Sequence, residues 1–232
     1  MKFTPTPLLA AALLLTAAAG SIHAQTLISW GLPQTITGDA DLAQEGTYFD
    51  AVNINPSFTG TNVDGTFFNT MVYSDSNDGS DGSISVNSPA FSYAGTGFSG
   101  GSTAYNYMVN EATYSGSANV IIGSETNPLS IGDTYHVQVW DYWNNGPYEA
   151  YVSGSPAVTF DYPAFQYAVG TFTATAPTES FYWTGAPDAN GAGFLNDVSV
   201  YNLGAVPEPS TWAAMLSGFG LLAFWRMRGR RA

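Results

Sequence analysis

The chain has 232 residues, 45% hydrophobic and 15% aromatic, which excludes a disordered acidic polypeptide and leaves room for one real core. All five basic residues lie at the ends (Lys2, Arg226, Arg228, Arg230 and Arg231), while residues 25–205 carry seventeen carboxylates and no lysine or arginine. Such a stretch has no cations to meet phosphate, so nucleic acid is excluded as its partner, and the absence of cysteine excludes disulfides, thiolate nucleophiles and zinc–thiolate sites.

Residues 1–24 have the pattern of a secretory signal peptide. Lys2 supplies the positive start, and Leu8 to Ala19 is an apolar run that predicts a short helix. Gly20 and Ser21 break it, and Ala24 places a small residue before Gln25. The apolar run is short for a permanent anchor helix.

From residue 25 to residue 204 the pattern is that of one extracellular domain. Short alternating runs rich in Val, Ile, Thr, Tyr and Phe are separated by Gly, Asn, Asp, Ser and Pro, and no amphipathic helix is predicted. Strands are expected at 27–30, 47–54, 66–74, 83–87, 104–115, 118–122, 134–143, 157–160, 166–175, 180–184 and 194–203. In the 134–143 run Tyr135, Val137 and Val139 point one way, and His136, Gln138, Trp140 and Tyr142 the other. In the last run Phe194, Val198 and Val200 are expected on the core face, opposite Asp197 and Ser199. Many short strands with regular turns predict an all-β protein, a jelly-roll-like β-sandwich. Flanking it are the N-terminal signal helix and a short C-terminal transmembrane helix.

Three constellations in the domain bear on chemistry. Residues 75–82 place oxygen-bearing side chains at alternate positions, as a calcium loop requires, with Asp75, Asn77 and Asp81 as candidate ligands. The closing glutamate of an EF-hand is absent, since position 86 is Val86, and a solvated hairpin turn has the same composition. No other cofactor is implied. His136 is the one histidine outside the signal peptide, and no nucleophile elbow accompanies it. A packing or surface role is therefore expected for it. Trp140, Tyr142, Trp143 and Tyr148 cluster beside Asp141, Asn144, Asn145 and Glu149, a mixture of flat apolar faces and hydrogen-bonding groups suited to carbohydrate contact. The alternative is that these rings cover a second layer of the core.

The C-terminal segment, 205–232, has three parts. Val206-Pro207-Glu208-Pro209-Ser210-Thr211 is held extended by its prolines and ends on hydroxyls that can cap a helix. An apolar stretch runs from Trp212 to Trp225, and the end is basic through Arg226, Arg228, Arg230 and Arg231. Fourteen residues make about 21 Å of helix against a hydrocarbon core of about 30 Å. The arginines favour the cytoplasmic side, which places the domain outside. A span this short, softened by Gly218 and Gly220, suits a temporary hold.

On those residues, 206–231 resembles the PEP-CTERM sorting signal, also called an ice-binding protein C-terminal domain. The resemblance implies a membrane enzyme, an exosortase, as a partner that processes the chain near the motif. It also implies a Gram-negative bacterium that makes extracellular polysaccharide. The expected route is an inner-membrane intermediate, then the cell surface, outer envelope or extracellular matrix. In the middle, the 131–140 run resembles uncharacterised secreted domains with the same tail and the strands of jelly-roll carbohydrate-binding modules. The expectation is a non-enzymatic structural or adhesive protein that contacts extracellular polysaccharide. The rival is a secreted glycan-active hydrolase using two of the carboxylates, although no spacing marks a pair.

Overall fold

The computed structural model describes residues 27–55, 59–73, 78–87, 91–94, 97–115, 117–142, 150–161, 165–185 and 193–205. The signal segment and the tail from 206 onward lie outside them. In chain order the first strands are β1 (Ser29–Trp30), β2 (Gln34–Thr35), β3 (Thr47–Asn53), β4 (Thr61–Val63), β5 (Thr66–Thr70), β6 (Val72–Tyr73), β7 (Asp78–Ser80), β8 (Ile84–Asn87) and β9 (Phe91–Ala94). Helix α1 (Thr103–Val109) follows, then β10 (Glu111–Ser115), β11 (Ser117–Ile122), β12 (Asp133–Asp141), β13 (Ala150–Val152) and β14 (Val158–Phe160). The series ends with β15 (Gln166–Thr173), β16 (Glu179–Gly185), β17 (Gly193–Leu195) and β18 (Asp197–Ala205).

These strands form an all-β sandwich. One sheet runs β1-β15-β12-β18-β3-β5-β4, with β2 also on β15; the other runs β14-β13-β16-β11-β8-β7-β6, and β17-β10-β9 make a small third sheet. From β11 onward the chain passes back and forth between the two large sheets. The order β3-β18-β12-β15 on one side, facing β8, β16, β13 and β14 on the other, is the wrap of a jelly roll, with β11 inserted between β8 and β16. Pairing is antiparallel except between β3 and β5.

The core between the sheets is filled by the inward halves of the alternating strands: Val137 and Val139 of β12, Val198 and Val200 of β18, Val120 and Ile122 of β11, and Phe181 and Trp183 of β16 are all buried there. Trp30 meets Phe181 edge to face at 5.8 Å across the two layers. The outer face of the larger sheet is covered as well. Ala51, Phe68, Trp140, Tyr142 and Tyr167 form a second cluster with Tyr105, Met108 and Val109 of α1.

That second cluster corrects two expectations. Residues 104–109 are helix rather than strand, with Ser102 as N-cap accepting from Tyr105 N at 3.2 Å. Seven residues do not sustain a helix alone. This one is held by burying Tyr105, Met108 and Val109, spaced i, i+3, i+4, which contribute about 1.5–3 kcal/mol each. Its last carbonyls are satisfied from the sheet: Asn53 Nδ2 donates to Met108 O at 3.0 Å and Asn196 Nδ2 to Val109 O at 2.7 Å. The second correction concerns 194–203. The strand is interrupted at Asn196, whose N–H bonds Trp140 O at 3.1 Å, so the phase shifts and Leu195, not Phe194, shares the inner cluster with Val198 and Val200. Asp197 and Ser199 face the other way, as expected, but are buried.

Candidate functional site

The expected aromatic platform does not exist at Trp140 and Tyr142. Trp140 is fully buried and meets Phe68 edge to face at 5.8 Å; Tyr142 is 2% exposed and stacks on Phe165 at 4.2 Å. The alternation that put them opposite the valines is correct, but α1 covers that face, so neither ring can lie against a saccharide. Trp143 and Tyr148 lie outside the described residues, as do Asp75, Asn77 and the whole sorting segment: Val206, Pro207, Glu208, Pro209, Ser210, Thr211, Trp212, Arg226, Arg228, Arg230 and Arg231. His136 is mostly covered, with Nδ1 4.0 Å from a Glu45 carboxylate oxygen and no hydrogen-bond partner for that nitrogen.

Asp81 is described, and the fold gives it a neighbour the sequence did not suggest. Its Oδ1 caps the turn into β8 by accepting from Ser83 N at 3.0 Å and Ile84 N at 2.8 Å. Across from it, on β3, is Asp50, and Asn69 of β5 donates to both, at 2.9 Å to Asp50 and 3.3 Å to Asp81. Asp50 also accepts from Ala51 N at 2.8 Å. Burial, then the hydrogen bond and charge of Asp81, push the Asp50 carboxyl up to about 7. Burial, then the adjacent Asp50 carboxyl, push the Tyr48 hydroxyl up. Without a lysine or arginine in the domain, the proton that Asp50 keeps provides the neutralisation. The pair clasps one large sheet to the other. Because the carboxyls hydrogen-bond each other, no sugar ring fits between them, unlike the separated acids of a glycosidase. Among the described residues no three of His, Asp and Glu converge on a metal position.

An open groove lies at the opposite edge of the sandwich, between edge strands β1 and β14. Its volume is about 540 Å³, and Trp30, Leu32, Pro33, Pro156, Asp161 and Gln166 line it. Trp30 forms the floor because two neighbours have no side chain: a Cβ on Gly154 would come within 2.3 Å of the indole, and one on Gly170 within 2.6 Å. The indole N–H donates to Ser153 O at 2.8 Å, which fixes the ring. Above it Leu32 is 85% exposed. On the polar wall Gln166 Oε1 accepts from Asp161 N at 2.9 Å, leaving the amide Nε2 to donate outward. Nothing in the sequence united these residues, since Trp30 and Gln166 come together only through the β1–β15 pairing and the return of β14. The one local signal was an apolar Leu32-Pro33 pair in a stretch that should have been polar.

Residues 205–231 match the family model of the PEP-CTERM protein-sorting motif. No curated protein matches the chain. Among solved structures, the crystal structure of exo-beta-1,3-galactanase from Phanerochaete chrysosporium, with galactose, is similar at 20% identity and a TM-score of 0.29. The likeness covers 61% of this chain and 32% of that one, so it spans about a third of the other protein's length. The chain carries the PEP-CTERM sorting signal, which marks export through the membrane in Gram-negative bacteria and sorting by an exosortase.

Proposed function

We propose that this chain, brought to an exosortase by its PEP-CTERM motif, is a non-enzymatic structural or adhesive protein of the cell surface or extracellular matrix. In this reading residues 1–24 are removed as a signal peptide, and the short apolar stretch 212–225 holds the protein in the inner membrane until the tail is processed. The folded domain is what is delivered, and extracellular polysaccharide is what it contacts.

The observation that supports this most directly is the junction at Ala205. The motif match starts on the last residue of β18, a strand in the middle of the larger sheet between β12 and β3. The sorted cargo is therefore the sandwich itself, joined to its signal without a spacer. The chemistry of the domain supports a passive role. Of its two raised carboxyls, Asp50 is engaged with Asp81 in a clasp and Asp141 is buried, and Nδ1 of the described histidine has no hydrogen-bond partner.

The test is expression in an exosortase-containing host and in the same host lacking that enzyme. The reading expects the domain in the envelope or medium only when the exosortase is present, and no release of reducing ends from extracellular polysaccharide. Unchanged distribution between the two hosts, or measurable glycan hydrolysis, counts against it.

A further inference from the structure

We propose that the groove between β1 and β14 is a binding site for a neutral polysaccharide. The proposal rests on the adhesive reading above and gives it a place and a ligand class.

Four observations carry it. The groove's volume, about 540 Å³, suits one or two sugar rings. Its walls combine the two contacts that sugars need. Leu32, Pro33 and Pro156 offer apolar surface to the C–H face of a ring, while the Asp161 carboxylate and the Gln166 amide offer an acceptor and a donor to neighbouring hydroxyls. The exposure of Leu32, at 85%, costs solvation that an occupant would recover. Charge then narrows the class: with seventeen carboxylates and no cationic side chain between residues 25 and 205, the domain repels sulfated and uronic acid chains and leaves uncharged ones.

The experiment uses the full chain in detergent, immobilised and challenged with dextran, galactan and laminarin, with alginate as the anionic probe and chitosan as the cationic one. Leu32→Ser and Asp161→Ala change exposed side chains, and Ile131→Ser, which changes another exposed apolar residue outside the groove, is the control; melting curves check that all three are folded. At least one neutral probe should bind, alginate should not, and each groove variant should weaken binding by at least about ten-fold while the control leaves it unchanged. Binding to no neutral probe overturns the proposal, and so does binding to chitosan alone, which would reflect charge. Undiminished binding in both groove variants overturns the groove but leaves the adhesive reading standing. Reducing ends released by the parent protein and lost in the groove variants would overturn both, by making the groove a hydrolase cleft.

Discussion

Asp50 and Asp81 show how a single proton can serve where a basic side chain would ordinarily stand. The Asp50 carboxyl lies at about 7 in the folded protein against 3.8 for the free group, so the folded state keeps a proton that the unfolded chain has already released. The resulting stabilisation is full below about pH 4 and is lost as pH rises through about 7. Denaturation in urea should therefore show the protein less stable at pH 8 than at pH 5, by about 1–2 kcal/mol. Asp81→Asn, which keeps the cap on Ser83 and Ile84 while removing one charge, should flatten that difference; an unchanged slope would show that the pair is not its source. Trp140 makes a second contrast at this scale. As a buried ring, its replacement by alanine should lower stability by about 3–5 kcal/mol, read as a fall in the urea midpoint at unchanged slope. An exposed ring of the kind expected from sequence would cost far less.

At the scale of elements, helix α1 and strand β18 carry most of the interest. Removing the N-cap by Ser102→Ala should cost about 1 kcal/mol, a small loss measurable by thermal melting. The effect should extend beyond the helix, because α1 is the cover over Trp140, Tyr142 and Phe68. β18 makes a sharper test. It lies between β12 and β3, so a chain ending at Ala205 keeps every pairing of that sheet, while one ending at Asn196 loses the strand that joins its halves. Circular dichroism should show a folded protein in the first case and an unfolded one in the second.

These elements also mark where sequence reasoning succeeds and stops. The alternation of Tyr135, Val137 and Val139 placed β12 and its inner face correctly. Alternation says that two faces differ, however, and does not say that one is wet; whether Trp140 and Tyr142 face solvent or a second layer depends on an element distant in sequence. The cover was written in the spacing of Tyr105, Met108 and Val109 behind Ser102, but it spans two turns and is built from strand-favouring residues. The shortest strands, such as β2 and β4, are too brief for any period to show. The carboxyl pair and the groove join segments distant in sequence, so they became visible only with the sheet order.

At the scale of the whole molecule, the division of charge and the division of labour coincide. The cations are confined to the two ends, and seventeen of the eighteen acids lie between residues 25 and 205. No helix among the described residues is long and apolar enough to cross a membrane. In this account membrane residence belongs to the tail alone, and the domain goes wherever the processed tail lets it go.

The most direct test is the intact mass of the protein recovered separately from cytosol, inner membrane, outer envelope and medium of an exosortase-containing host. The account predicts a species lacking residues 1–24 and the basic end 226–231 in the envelope or medium. A longer form with the tail attached should appear only in the inner membrane. Full-length chain dissolved in the cytosol as the main form, with both ends intact, would contradict it.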